Sequence, residues 1–122
     1  MLNEFDAMIG VTMTSVKADP YNDALIFVAE DGRRFEFFHH QDCCESVRIE
    51  EVIGDLRDLV GSPLVLAEEV DNKDAPEPKN AESYTWTFYR FGTAKGYVTV
   101  RFLGESNGYY GEGVSFHVID PV

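Results

Sequence analysis

Residues 83–103 read Ser-Tyr-Thr-Trp-Thr-Phe-Tyr-Arg-Phe-Gly-Thr-Ala-Lys-Gly-Tyr-Val-Thr-Val-Arg-Phe-Leu, and this stretch decides the fold. Its two halves, 83–91 and 96–103, are rich in β-branched and aromatic residues, the composition of strands that pack on a pleated surface. Gly92-Thr93-Ala94-Lys95 between them reads as a hairpin loop. A four-residue loop sets Phe91 opposite Gly96, Trp86 opposite Arg101 and Arg90 opposite Tyr97. Side chains alternate across a strand, so Thr85, Thr87, Tyr89 and Phe91 share a face with Val98, Val100 and Phe102. The other face holds Tyr84, Trp86, Phe88 and Arg90 with Tyr97, Thr99, Arg101 and Leu103. A one-residue change in the loop would exchange the faces.

Working outward, residues 11–17 alternate as a strand, Asp19-Pro20-Tyr21-Asn22-Asp23 is a turn, and 24–29 is a buried strand. Asp31-Gly32 is a tight-turn signal, with 33–39 returning as the hairpin partner. A short helix is expected over 4–9, capped by Asn3 and stopped by Gly10. Residues 47–49 form a short strand. After it, Val52, Ile53, Leu56, Leu59 and Val60 share one face of a helix over 50–60, which Gly54 weakens. Residues 64–70 are a strand, and 114–119 the last one. Residues 71–82, polar and carrying Pro76 and Pro78, form an exposed loop. The sum is an α+β domain spanning 1–122, mainly antiparallel sheet with one or two short helices packed on it.

The chain of 122 residues is long enough for one core without staples. The N-terminal residues lack the basic flank and apolar stretch of a signal peptide, and no apolar run is long enough to span a bilayer, so a cytoplasmic protein is expected. Cys43 and Cys44 are the only two cysteines. A disulfide between neighbours is strained, so reduced thiols are expected, one of them packing into the core. A net charge of −12 argues against nucleic acid as a partner. The charge is uneven: 42–82 holds 12 acids against 4 bases, whereas 83–103 holds 3 bases and no acid. An acidic chain with one basic strand pair can host an anionic ligand there.

On that strand pair, rings beside guanidinium groups suit a nucleotide: Trp86 and Phe88 stack on a base, while Arg90 and Arg101 pair with phosphate oxygens. The plain alternative is an ordinary set of cross-strand cation–π pairs. A second candidate is residues 104–113, where four glycines allow close backbone approach to a ligand. There Asn107 can read a base or ribose, with Tyr109 and Tyr110 beside it; the plain alternative is an Asn-Gly turn with packed tyrosines. A zinc or nucleophilic-cysteine reading of His39-His40-Gln41-Asp42-Cys43-Cys44-Glu45 lacks a second ligand pair or an orienting group. Glu105, Glu112, Asp55 and Asp58 have no recognised spacing for magnesium, and no phosphate-loop pattern is present. No catalytic residue, metal or cofactor is expected.

Several blocks together resemble a family of small phage and prophage proteins, much of it without an assigned function. They are His40-x-x-Cys43-Cys44-Glu45, Gly54-Asp55-Leu56-x-Asp58-Leu59-x-Gly61-x-Pro63, Ala67-Glu68-Glu69, 85–91, 95–101 and 104–110, and they lie within 40–118. The pattern is also similar to the first type of Thoeris anti-defence proteins. That resemblance implies an oligomeric sponge that sequesters, without cleaving, a cyclic ADP-ribose-type or cyclic oligonucleotide immune signal in a bacterial host cell. It implies no enzyme activity, and the lack of a bilayer-spanning run leaves no membrane partner expected. Two other readings stand beside it: an acidic nucleic-acid mimic that inhibits a host defence or DNA-binding protein, and a small metal-dependent hydrolase of the same signals.

Overall fold

A computed structural model describes residues 4–21, 23–70, 76–78 and 82–121. The alternation of residues 83–103 places Thr87, Tyr89, Phe91, Val98, Val100 and Phe102 in the interior and leaves Trp86, Phe88, Arg90 and Arg101 on the other face. The strands are β1 (Met13–Asp19), β2 (Ala24–Ala29), β3 (Arg34–Phe38), β4 (Ser46–Ile53), β5 (Leu66–Val70), β6 (Ser83–Thr93), β7 (Gly96–Ser106) and β8 (Ser115–Ile119). They form two four-stranded antiparallel sheets, ordered β1-β2-β3-β8 and β4-β7-β6-β5. The mainly antiparallel sheet with short helices is thus found; among the described residues the helices are 3-10, at Glu4–Met8 and Leu56–Leu59.

The sheets face one another across a shared aromatic core. Phe27 of β2 lies 4.8 Å from Phe91 of β6, and Phe37 of β3 lies 4.7 Å from Tyr89. Phe5, from the first 3-10 helix, adds its ring 5.1 Å from Phe116 and 5.6 Å from both Phe37 and Tyr89. One side of the sandwich is tied shut by backbone bonds: Gly10 N–H to Leu64 O, Leu64 N–H to Val11 O, and Gly61 N–H to Met13 O.

Two local expectations change. The β6–β7 turn is tighter: Thr93 pairs with Gly96, leaving Ala94 and Lys95 at the tip. Thr93 Oγ1 accepts from Lys95 N–H at 3.1 Å and donates to the Asp58 carbonyl, while Lys95 Nζ donates to Val60 O at 2.7 Å. Partners therefore shift by two, so Trp86 pairs with Leu103, Phe88 with Arg101 and Arg90 with Thr99. An even shift preserves both faces.

The helix expected over 50–60 is instead the end of β4 followed by the second 3-10 helix. A bulge between Ile49 and Glu51 absorbs one residue, so Val47, Ile49 and Val52 all share the parity of the core-facing residues of β7. The helical periodicity read over 52–60 instead combines two elements, since Val52 and Ile53 end β4 on opposite faces and Leu56 and Leu59 belong to the 3-10 helix. Gly54 ends the strand at φ +112, where a Cβ would stand 2.7 Å from Tyr97 O. Asp55 then accepts from Arg57 N–H and opens the 3-10 turn. Asn3, expected to cap the first helix, and most of the 71–82 loop lie outside the described residues.

Candidate functional site

On the outer face of the β5–β6–β7–β4 sheet, the Arg101 guanidinium sits 4.8 Å from the Trp86 ring centroid and 4.7 Å from that of Phe88. The two rings are 5.7 Å apart and meet edge to face. Register explains the cluster: Arg101 stands directly across from Phe88 and diagonally from Trp86. Arg101 Nη1 donates to Glu51 Oε2 at 2.6 Å, whereas its Nε is shielded from solvent and has no hydrogen-bond partner among the described residues. Trp86 Nε1 donates to Pro76 O at 2.7 Å, so the segment after β5 reaches this face. Arg90 is exposed, with its guanidinium 5.9 Å from the Tyr97 ring. Tyr97 covers Gly92, its pairing partner, where a Cβ would stand 2.3 Å from the ring.

The positive charge of this face is partly neutralised by carboxylates of β4 and β7. Arg48 bonds Glu105 at 2.5 Å and Glu50 at 2.9 Å. Burial works against the Arg48 charge, but those two carboxylates outweigh it and raise its pKa. Arg90 has no ion pair among the described residues, while Arg101 is matched by Glu51.

The glycine-rich loop lies elsewhere. Glu112, buried, accepts from Thr85 Oγ1 at 2.8 Å and from Ser106 Oγ. Burial pushes its carboxyl up, yet the hydroxyls of Ser106, Ser83 and Thr85 bring it below the usual range. Ser83, Thr85 and Ser106 belong to the same face of the hairpin as Tyr89 and Val100, so the loop is tied to the side opposite Trp86. Gly104 serves that closure: a Cβ there would stand 2.3 Å from Glu112 O. Asn107 Oδ1 accepts from Tyr109 N–H at 2.9 Å, making an Asx turn. Tyr109 is exposed and meets Tyr110 edge to face at 5.0 Å. The structure therefore clusters Trp86, Phe88 and Arg101, sets Arg90 farther along the same face, and holds Asn107, Tyr109 and Tyr110 on a separate loop.

Residues 39–45 depart from expectation. Cys43 and Cys44 are joined as a vicinal disulfide, with Cα atoms 3.7 Å apart, and both residues are exposed. Neither packs in the core, because the inward position of this turn belongs to Glu45. Its side chain, sealed from solvent, accepts from His39 Nε2 at 2.7 Å and from the Asp42 and Cys43 N–H groups, each at 2.9 Å. The bond from His39, followed by that from Cys43 N–H, holds its carboxyl down at about 2. His39 Nδ1 lies 2.7 Å from Gly113 O, so one imidazole pins this turn to the β7–β8 loop. Among the described residues, no group of three or more His, Cys, Asp or Glu converges on a metal position.

Sequence reasoning missed the concave outer face of the β1–β2–β3–β8 sheet. This hollow, about 780 Å³, has Ile26, Val28 and Phe38 in its lining, with Lys17, Arg34, Glu36, His39 and Gln41 among the polar groups. The alternation Arg34-x-Glu36-x-Phe38 signals a mixed outer face. Its curvature has no sequence signal.

The fold and the site define a two-sheet antiparallel protein with an aromatic–arginine cluster on one outer face and a hollow on the other. The chain belongs to the family described as a domain of unknown function (DUF7448), whose model matches residues 6–116. No curated protein and no solved structure matches it. No helix among the described residues is long and apolar enough to cross a membrane.

Proposed function

We propose that this protein is a binding protein that holds a nucleotide-type ligand on the Trp86–Phe88–Arg101 face. The carrying observation is the Arg101 guanidinium set against two aromatic rings on an outer sheet face, with exposed Arg90 farther along it. Arg90 and Arg101 are diagonal neighbours on this face, roughly 7 Å apart by general sheet geometry, a separation that a pyrophosphate can bridge. Trp86 and Phe88 supply the surface for a base. The resemblance to phage signal sponges narrows the ligand to a cyclic ADP-ribose-type or cyclic oligonucleotide immune signal, sequestered without cleavage in the bacterial cytoplasm. Asn107, Tyr109 and Tyr110 belong to this site if the ligand extends around the strand ends or is shared between copies.

The test incubates the purified protein with signals made by an activated TIR-domain enzyme, filters it, heat-denatures it and identifies what is released by mass spectrometry. Intact cyclic nucleotide in the protein fraction is the expected result, and its loss in Arg101→Ala places it on this face. Loss with Lys17→Ala or Arg34→Ala, and none with Arg101→Ala, would move the site to the concave face. Absence of any retained cyclic nucleotide rejects the sponge reading.

The protein also acts as a homo-oligomer in this reading, with the β8 edge as the contact. β1 carries a bulge and Lys17, β4 a bulge and three charged residues, and β5 two glutamates. β8, Ser-Phe-His-Val-Ile, has neither acid, lysine nor proline, and Val118 and Ile119 are exposed. An edge so little protected is suited to pairing with a second copy.

A further inference from the structure

The chain has three histidines, and their surroundings separate them. His39 has both ring nitrogens engaged, by Glu45 and by the Gly113 carbonyl. His40 and His117 instead bring Nε2 to Nε2 at 3.0 Å. His117 is on β8 and His40 follows β3, so distant parts of the sequence deliver the pair to one edge of the sheet. Phe38 fixes both rings, with centroid separations of 4.8 Å to each, and the imidazole planes are 85° apart. One ring donating to the other accounts for the contact in the absence of a cation. The same separation is also the bite of a chelate.

Imidazole nitrogens bind first-row divalent metals at about 2.0–2.1 Å, so two on adjacent corners of a square stand about 2.9 Å apart, and two on a tetrahedron about 3.3 Å. The observed 3.0 Å is nearer the square arrangement. We propose that His40 and His117 form a bidentate site for a divalent cation of tetragonal preference, Cu2+ or Ni2+, bound through the two Nε2 atoms. Glu36, the register partner of His117, does not complete it, because its carboxylate is bonded to Arg34 at 2.6 Å. The remaining coordination positions are open to water or to an anionic ligand. His40 is exposed and His117 half-buried, so the pair is reachable from solvent while Phe38 restrains the rings.

The test titrates the full chain with Cu2+ and follows the bound ion by electron paramagnetic resonance. A tetragonal spectrum with hyperfine structure from two imidazole nitrogens, saturating at one ion per chain, is the expected result. His40→Ala and His117→Ala each weaken binding at least tenfold and leave at most one imidazole nitrogen in the spectrum. Because His40 is exposed, its variant also serves as the folding control, checked by circular dichroism. A wild-type spectrum without two imidazole nitrogens, or unchanged affinity in folded His40→Ala, would overturn the site.

Discussion

Two residues illustrate how much a single position decides. Glu45 is sealed from solvent and held by His39 and by backbone N–H groups, which depress its carboxyl from 4.5 to about 2. The unfolded chain therefore binds a proton that the folded chain does not, so this contribution is full above the unfolded value near 4.5 and lost as pH falls through about 2. Urea midpoints of the wild type should fall over that window. Glu45→Gln should lower the midpoint at pH 7 and reduce the acid-side slope; an unchanged slope would show that another group governs it. Gly104 is held for a different reason, since a Cβ there meets the Glu112 backbone, which cannot swing away. Gly104→Ala should cost about 1–3 kcal/mol by overpacking. Gly92→Ala should cost less, because the conflicting Tyr97 ring is exposed and can rotate. Equal losses in urea unfolding would contradict that distinction.

The β6–β7 hairpin tests the next scale, because its turn fixes which side chains meet. Thr93 accepts from Lys95 N–H and donates to the Asp58 carbonyl, joining the turn to the second 3-10 helix. Thr93→Val keeps the shape and leaves both backbone groups unpaired, so a loss of about 1–3 kcal/mol is expected. Thr93→Ser should retain most of the stability, and similar urea midpoints for the two variants would reject this role. The face composition was legible in residues 83–103 because alternation is a local property that survives an even shift of register. The partners were not, because the anchors at Asp58 and Val60 come from elsewhere in the chain. The end of β4 was hidden for another reason: Val52 faces the core, Ile53 the outer face, and Leu56 opens the second 3-10 helix, so residues of two elements fall at helical spacing. Among the candidate residues, alternation put Trp86, Phe88 and Arg101 on one face, and both the expected and the observed register set Arg101 beside the two rings. The attachment of Asn107, Tyr109 and Tyr110 to the other side depends on Glu112, whose hydroxyl partners on β6, Ser83 and Thr85, are remote in sequence.

At the scale of the molecule, two small sheets sharing one aromatic core leave strand edges and two outer faces that differ in charge and protection, with the start of β1 already bridged to 60–63. Self-pairing of β8 would extend the β1–β2–β3–β8 sheet into a continuous eight-stranded one without disturbing the core. Each chain carries −12, so association works against electrostatic repulsion, and added salt should strengthen it by screening. Sedimentation of the wild type across concentration should therefore show a dimer whose population rises with ionic strength. Val118 is 44% exposed in the single chain, so Val118→Glu should fold normally. It would add a carboxylate near a two-fold axis and shift the protein to monomer, whereas Val65→Glu, at another exposed apolar position outside β8, should leave the dimer intact. A wild type that stays monomeric at high protein and high salt would remove β8 self-association from the proposed function. A dimer insensitive to Val118→Glu would place the contact on another edge or face.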